Sequence, residues 1–245
     1  MEQSRSIAVY QPYFFPYLAY WQLLAAADVF VVGDEYQYKA RGFINRNTIL
    51  LNHAPHRFTI SLKGASPSRR IGEIDVLDDF AKFRKSLAHA YGRSPFHVEA
   101  MAVIDPILDY PDRNLARFLG NQIQAVSRYL GLATEIVYMS ELGLDPECES
   151  KEQRLRDCVK RLGAGMLINP AGSIPLYPPS GFESHDIALR FLRSRAIPYP
   201  QANREFVPGL SLIDAMMCNS RQSLAALLSS YDIIDATGAI ACSSE

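Results

Sequence analysis

Seven cations and no acid fall between Glu35 and Glu73: Lys39, Arg41, Arg46, Arg57, Lys63, Arg69 and Arg70. So one-sided a stretch suits anions such as phosphates, which guanidinium groups grip through forked, charge-assisted hydrogen bonds. The plainer alternative is a solvated basic face paired with acids elsewhere in the fold. Arg46 stands between Asn45 and Asn47, and a cation flanked by amides can take a phosphate and its neighbouring hydroxyls. The same asparagines would also suit a turn. Just upstream, Asp34-Glu35-Tyr36-Gln37-Tyr38 follows an apolar run. A carboxylate placed there can accept from a sugar hydroxyl or act as a general base, or it can serve as an N-cap or an arginine's partner. Asp34 is therefore the candidate base or hydroxyl acceptor. Arg46 and Lys63 are the candidate phosphate ligands, and Gln37, Asn45 and Asn47 the candidate polar contacts.

Two further segments end apolar runs. Gln11-Pro-Tyr-Phe-Phe-Pro-Tyr17 has two prolines that stiffen the chain and aromatics able to stack on a base or sugar ring. Gln11 reads as a ligand contact, and Phe14 and Phe15 as a rigid core plug. Asn169-Pro-Ala-Gly172 adds Asn169 and Gly172 to the binding candidates. Ser211 and Asp214 have the spacing of a capping box, and helix capping is the role expected of them.

These residues must be positioned by regular elements. Ile7–Tyr10 and Asp28–Gly33 read as strands around a helix from Tyr17 to Ala27. Thr48–Leu51 and Arg57–Leu62 flank the turn-forming Asn52-His-Ala-Pro55, predicting an inserted antiparallel hairpin appended to the sheet. Helical periodicity covers Phe80–Tyr91 and Asp112–Leu130, and a strand is expected over Glu135–Met139. Ser150 opens a helix ending at Gly163, Gly165–Ile168 is a buried strand, and Asn219-Ser-Arg-Gln222 reads as a capping box before a last helix. The alternation implies an α/β fold, mainly parallel and flanked by helices, with a helical C-terminal part; ligands then bind beyond the strands' carboxyl ends. A single domain over residues 1–234 and a small, frayed polar tail over 235–245 are expected.

Composition excludes whole classes. With 48% hydrophobic residues in 245, the chain has the material for a sizeable core. Twenty-five Lys and Arg against 26 Asp and Glu exclude a generically basic nucleic-acid coat, so charge specificity must be local. Cys148, Cys158, Cys218 and Cys242 lack CxxC spacing, which favours free thiols in a reducing, cytoplasmic setting. No apolar stretch is long enough for a leader or a membrane span. No Walker, GxGxxG, HExxH or GxSxG signature occurs, and the five histidines are scattered, so no tightly bound metal is expected.

The runs QPYFFPY, DEYQY and GFINRN, continued by INPAG, FVPGLSLIDAMMCNS and YDII, resemble the WbqC-like protein family of bacteria over nearly the whole length. The chain departs from the family pattern at Leu18-Ala19 and at Ser173, where members typically carry glycine. The resemblance implies a tailoring transferase in O-antigen or other surface-polysaccharide synthesis, acting on a nucleotide-activated amino sugar, with glycyl transfer to the sugar amine as the specific expectation. It implies no tightly bound cofactor, with ATP or an aminoacyl donor as co-substrate, tRNA left open as that donor, and no DNA partner. The opening is also similar to nucleotidylyltransferases and class I synthetases, but Phe15-Pro-Tyr-Leu-Ala-Tyr20 stands where their HxGH histidines would be. A non-catalytic, nucleotide-sugar-binding subunit of an assembly complex and a nucleotidylyltransferase-like enzyme are the alternatives.

Overall fold

The structure, a computed structural model, describes residues 4–241 except 146, 147, 149, 196, 203 and 204. Strand β1 (Ser6–Tyr10), helix α1 (Leu18–Ala25) and strand β2 (Val29–Val32) form a parallel βαβ unit. Next come the hairpin β3 (Arg46–Leu51) and β4 (Ala54–Thr59), a short pair β5 (Leu62–Lys63) and β6 (Asp75–Val76), and helices α2 (Ala81–Tyr91), α3 (His97–Leu108) and α4 (Leu115–Leu130). The chain returns through β7 (Glu135–Tyr138), α5 (Lys151–Arg161), β8 (Met166–Pro170), α6 (Ser180–Glu183), β9 (Ala188–Ser194), α7 (Leu212–Cys218), α8 (Arg221–Leu228) and β10 (Tyr231–Ile234).

Six strands make one sheet in the order β10-β9-β8-β1-β2-β7, parallel except for β10, which runs antiparallel to β9. The expected α/β architecture, mostly parallel and helix-flanked, is what the chain forms. β1 and β2 are apolar at nearly every position because both faces of the sheet are covered. Alternation sorts their side chains: Ala8, Phe30 and Val32 pack with α1, α4, α7 and α8, while Ile7, Val9, Val29 and Val31 pack with Leu155, Val159 and Phe182 of α5 and α6.

Several local expectations need correcting. The hairpin pairs only with itself and stands apart from the main sheet. Its turn is two residues, Asn52 and His53, both left-handed at φ 51° and 61°, a primed turn whose twist matches the strands, and Pro55 already lies in β4. Helix α3 was not legible: Pro106 lies inside it and the exposed Val98 breaks its apolar face, although Ala100, Ile104, Ile107 and Leu108 are buried. The cap of α8 is Ser220, accepting from Ser223 N at 3.2 Å, one residue beyond the Asn219 expected. Asn219 is instead buried, donating to the carbonyls of Pro200 and Ala215. Residues 235–241 of the expected tail turn back onto β10, where Ala241 N donates to Ile233 O at 2.9 Å, while 242–245 lie outside the described residues.

Candidate functional site

The connection leaving β1 runs towards β2 over one face of the sheet, whereas the chain reaches β8, on the other side of β1, over the opposite face. The loops after β1 and β8 therefore diverge, and the crevice between them at the strands' carboxyl ends is where open α/β sheets bind ligands. Gln11, Asn169 and Gly172 lie at this crevice, with Asp34 and Glu35 one strand away after β2.

The loop after β1 has a locked half and an open half. Phe14 and Phe15 are fully buried, and Phe15 takes a left-handed φ of 41°. That strain costs about 1–3 kcal/mol. It is offset by ring burial, about 1.5–3 kcal/mol for each Phe, and by three buried hydrogen bonds. Phe15 N donates to Gln122 Oε1 at 2.9 Å, while its carbonyl accepts from Asn47 Nδ2 and Ser211 Oγ, both at 2.7 Å. Asn47, read from sequence as a hydroxyl ligand, is spent on this clamp. Asn45 is likewise engaged, accepting from the Tyr38 hydroxyl at 3.0 Å and donating to Ile60 O at 3.0 Å.

The open half carries phenols that the sequence reading left out of the site. Tyr10 meets Tyr13 and Tyr20 edge-on at 5.6 and 5.7 Å, and the exposed Phe43 ring packs on Tyr13 and Tyr17 at 5.7 and 5.5 Å. Burial, reinforced by the neighbouring Tyr10 phenol, pushes the Tyr17 hydroxyl up to about 12 and the Tyr13 hydroxyl higher still. Tyr177, from the loop after β8, is half-buried and is raised by burial first and by the Tyr10 phenol second. Tyr13, Tyr17 and Tyr177 stay protonated near neutrality, so they can serve as hydrogen-bond donors to a ligand and not as bases.

On the β8 side, Asn169 is 3% exposed and its Nδ2 has no hydrogen-bond partner. An unmade bond on a buried donor costs about 1–3 kcal/mol, so this atom is one that a ligand acceptor would satisfy. Gln11, partly exposed across the crevice, donates to Gln37 O at 3.2 Å. Gln37 itself is exposed and reaches the crevice only through that carbonyl. Gly172 is exposed, with open space where a Cβ would stand, and Ser173 Oγ donates to Pro170 O at 2.7 Å, closing the turn at the end of β8.

The carboxylates after β2 are both engaged. Asp34, expected as the base, is 6% exposed, and its oxygens accept from Ser140 N at 3.1 Å and Ser140 Oγ at 2.5 Å. It clasps the end of β2 to the turn after β7. Glu35 accepts from Arg154 Nη1 at 2.9 Å and Arg70 Nη1 at 3.4 Å, so Arg70 is a compensated cation. Lys63 lies opposite Asp75 across the β5–β6 pair, and Arg69 donates to Glu73 O. Arg46 is half-buried, its Nε donating to Gly42 O at 2.8 Å. Among the described residues, Lys39, Arg41, Arg46 and Arg57 form no ion pair. Arg154, which docks Glu35, is a further residue missed: in sequence it reads only as part of an exposed, charged helix.

A cavity of about 520 Å³ lies elsewhere, lined by His89, Arg93, Ser94, Gln201 and Cys218 among others. Burial first, and Asp214 second, push the Cys218 thiol up to about 11, leaving it protonated and unreactive. None of the candidate site residues reaches this cavity, so the chemistry of the chain points to the crevice. Among the described residues, no group of three or more His, Cys, Asp or Glu is placed to hold a metal ion, and no helix is long and apolar enough to cross a membrane.

The model of the WbqC-like protein family matches residues 11–226, which takes in both crevice loops, the hairpin and α7. The chain belongs to that family. It is also 22% identical over 217 residues to the uncharacterized protein Rv1507c of Mycobacterium tuberculosis (strain ATCC 25618 / H37Rv), covering 86% of this chain and 93% of that one. No solved structure matches. The family match begins at Gln11, the first residue of the crevice after β1.

Proposed function

We propose that this WbqC-like protein binds a nucleotide-linked amino sugar in the β1–β8 crevice and transfers an acyl group, glycyl being the specific form, to the sugar amine. The observation that carries the reading is the buried Asn169 Nδ2 at the switch point, which has no hydrogen-bond partner among the described residues. A sugar offers the acceptors that such donors need, Tyr13 and Tyr17 offer rings for a base, and Arg46 offers charge for the diphosphate. The donor, ATP plus an amino acid or a preformed aminoacyl carrier such as tRNA, enters as co-substrate. In the transfer, the amine attacks the acyl carbonyl, the phenols donate to the oxyanion that develops, and its collapse breaks the acyl C–O bond to release AMP or the tRNA ribose hydroxyl, with the amine's proton passing to that leaving oxygen or to solvent.

A second reading, a binding subunit without turnover, is favoured by one specific feature: Asp34 is committed to Ser140, and Glu35 to Arg154 and Arg70, so neither carboxylate is free to take the amine's proton. Single-turnover mixing of protein, nucleotide-linked amino sugar and candidate aminoacyl donors, followed by mass spectrometry, separates the two. The transferase reading expects the mass of the acylated sugar. Binding without product from any donor would leave the subunit reading standing.

A further inference from the structure

The hairpin carries more charge than a diphosphate needs. Seven of the chain's 25 Lys and Arg lie between Glu35 and Glu73, which leaves the other 18 facing all 26 acids. Outside that run 18 cations against 26 acids leave a net charge of −8, so positive charge is concentrated in this segment, and a polyanion is steered towards it. All of these cations but Arg70 lack an ion-pair partner among the described residues, and four of them, Lys39, Arg41, Arg46 and Arg57, lie on the hairpin and the 39–43 loop. The strand register places two of them together. Arg46 lies opposite Thr59 and Thr48 opposite Arg57, so Arg46 and Arg57 are diagonal neighbours on the hairpin's outward face, while Asn47, Ile49 and Phe58 turn inward. Arg46 Nε ties this face to the 39–43 loop through Gly42 O. In the same loop Phe43 is 44% exposed, its ring braced from behind by Tyr13 and Tyr17. Unpaired cations interleaved with a braced, exposed aromatic ring form the arrangement that grips phosphates while a base stacks.

We propose that this face, the outward side of the β3–β4 hairpin with the 39–43 loop, holds the phosphate backbone of a single-stranded polynucleotide, with Phe43 stacking on a base. The surface stands on charge and register and does not depend on the crevice reading. A duplex or a lipid bilayer would engage the cations but leave the ring without a base.

The test is fluorescence anisotropy of a labelled single-stranded oligoribonucleotide, roughly ten nucleotides long. It is titrated from about 50 to about 200 mM salt. Four phosphate contacts give a log–log slope near −3, at about 0.7 per phosphate for a single strand. The combined variant Lys39→Gln/Arg41→Gln/Arg57→Gln, all exposed positions outside the crevice, should lower affinity by on the order of tenfold or more and cut the slope to about −1. A deoxyribose oligonucleotide of the same sequence identifies which sugar the natural strand carries. No binding at about 50 mM salt up to about 100 µM protein would overturn the proposal. So would equal binding by the variant, or charge-dependent binding to phosphatidylserine vesicles in place of the oligonucleotide. Nucleotide-sugar calorimetry on the same variant keeps the two sites apart. Lost strand binding with sugar affinity retained supports the surface, and sugar affinity without any strand binding by the wild type removes the surface while leaving the crevice.

Discussion

The loop after β1 divides at Phe14 into two halves of opposite character. From Phe14 to Pro16 every residue is buried, and the backbone groups of Phe15 are matched by side chains from three distant segments, Asn47, Gln122 and Ser211. From Gln11 to Tyr13 the loop borders the crevice with Gln11 and Tyr13 partly exposed, and β8 ends there with an Asn169 amide that has no partner among the described residues. One half of the loop has its backbone groups matched by distant side chains and the other lies partly open at the strands' carboxyl ends, so a frame and a candidate site are joined in one loop. The strain at Phe15 belongs to the frame, and it fixes the angle at which Tyr13 and Tyr17 reach the opening.

The comparison is broken most severely at the frame. Phe15→Ala should lower unfolding free energy by about 3–5 kcal/mol, because it opens a cavity among rings while keeping the left-handed backbone. Urea denaturation checks this, and a loss below about 1 kcal/mol would show that the ring does not hold the loop. Asn47→Ala should cost about 1–3 kcal/mol, since the Phe14 and Phe15 carbonyls lose a buried donor. Were Asn47 a ligand contact instead, the variant would melt as the wild type does and lose affinity alone.

A smaller effect sharpens the frame's far edge. Asp214 was expected to cap α7 with Ser211, and only Ser211 does so, accepting from Ile213 N at 3.3 Å. The Asp214 carboxyl is fully buried; its Oδ1 accepts from the Tyr91 hydroxyl at 2.9 Å, and Tyr199 and Gln201 also interact with it. Burial raises its pKa above the ordinary 3.8, with hydrogen bonding from Tyr91 pulling the other way. An acid whose folded pKa exceeds its unfolded value contributes stability that is complete below the unfolded value and lost as pH rises through the folded one. Asp214→Asn should therefore gain on the wild type as pH climbs from about 4 to about 7. A stability difference that stays constant over that range would mean the carboxyl ionises without penalty.

Much of the frame was legible because it rests on local rules. The apolar runs of β1 and β2, the stripe of α4 and the Ser150 cap, which accepts from Gln153 N at 3.3 Å, follow from period and end chemistry. Gln11 and Asn169 could be placed at the site because polar residues ending buried parallel strands have few other places to point. What escaped depends on distant partners. Asn45 and Asn47 have the same amides as a ligand-binding pair, and only the tertiary course of the 14–15 and 60 carbonyls claims them. Tyr13 and Tyr17 could be read as rings able to stack, but nothing in the sequence sets Tyr10 or Tyr177 apart from packing residues. The charge run was visible, but that Arg70 finds a carboxylate is decided by where Glu35 falls.

The central claim is that the crevice takes a nucleotide-linked sugar through groups the fold leaves unmatched. Calorimetric titration of a nucleotide-linked amino sugar into wild type and Asn169→Ala tests it most directly, with urea denaturation run in parallel. Removing an unpartnered donor should leave stability within about 1 kcal/mol of wild type, whereas affinity should fall by about 1–3 kcal/mol as the sugar loses that donor. Wild-type affinity in the Asn169→Ala protein, or no sugar binding by the wild type at all, would contradict the account.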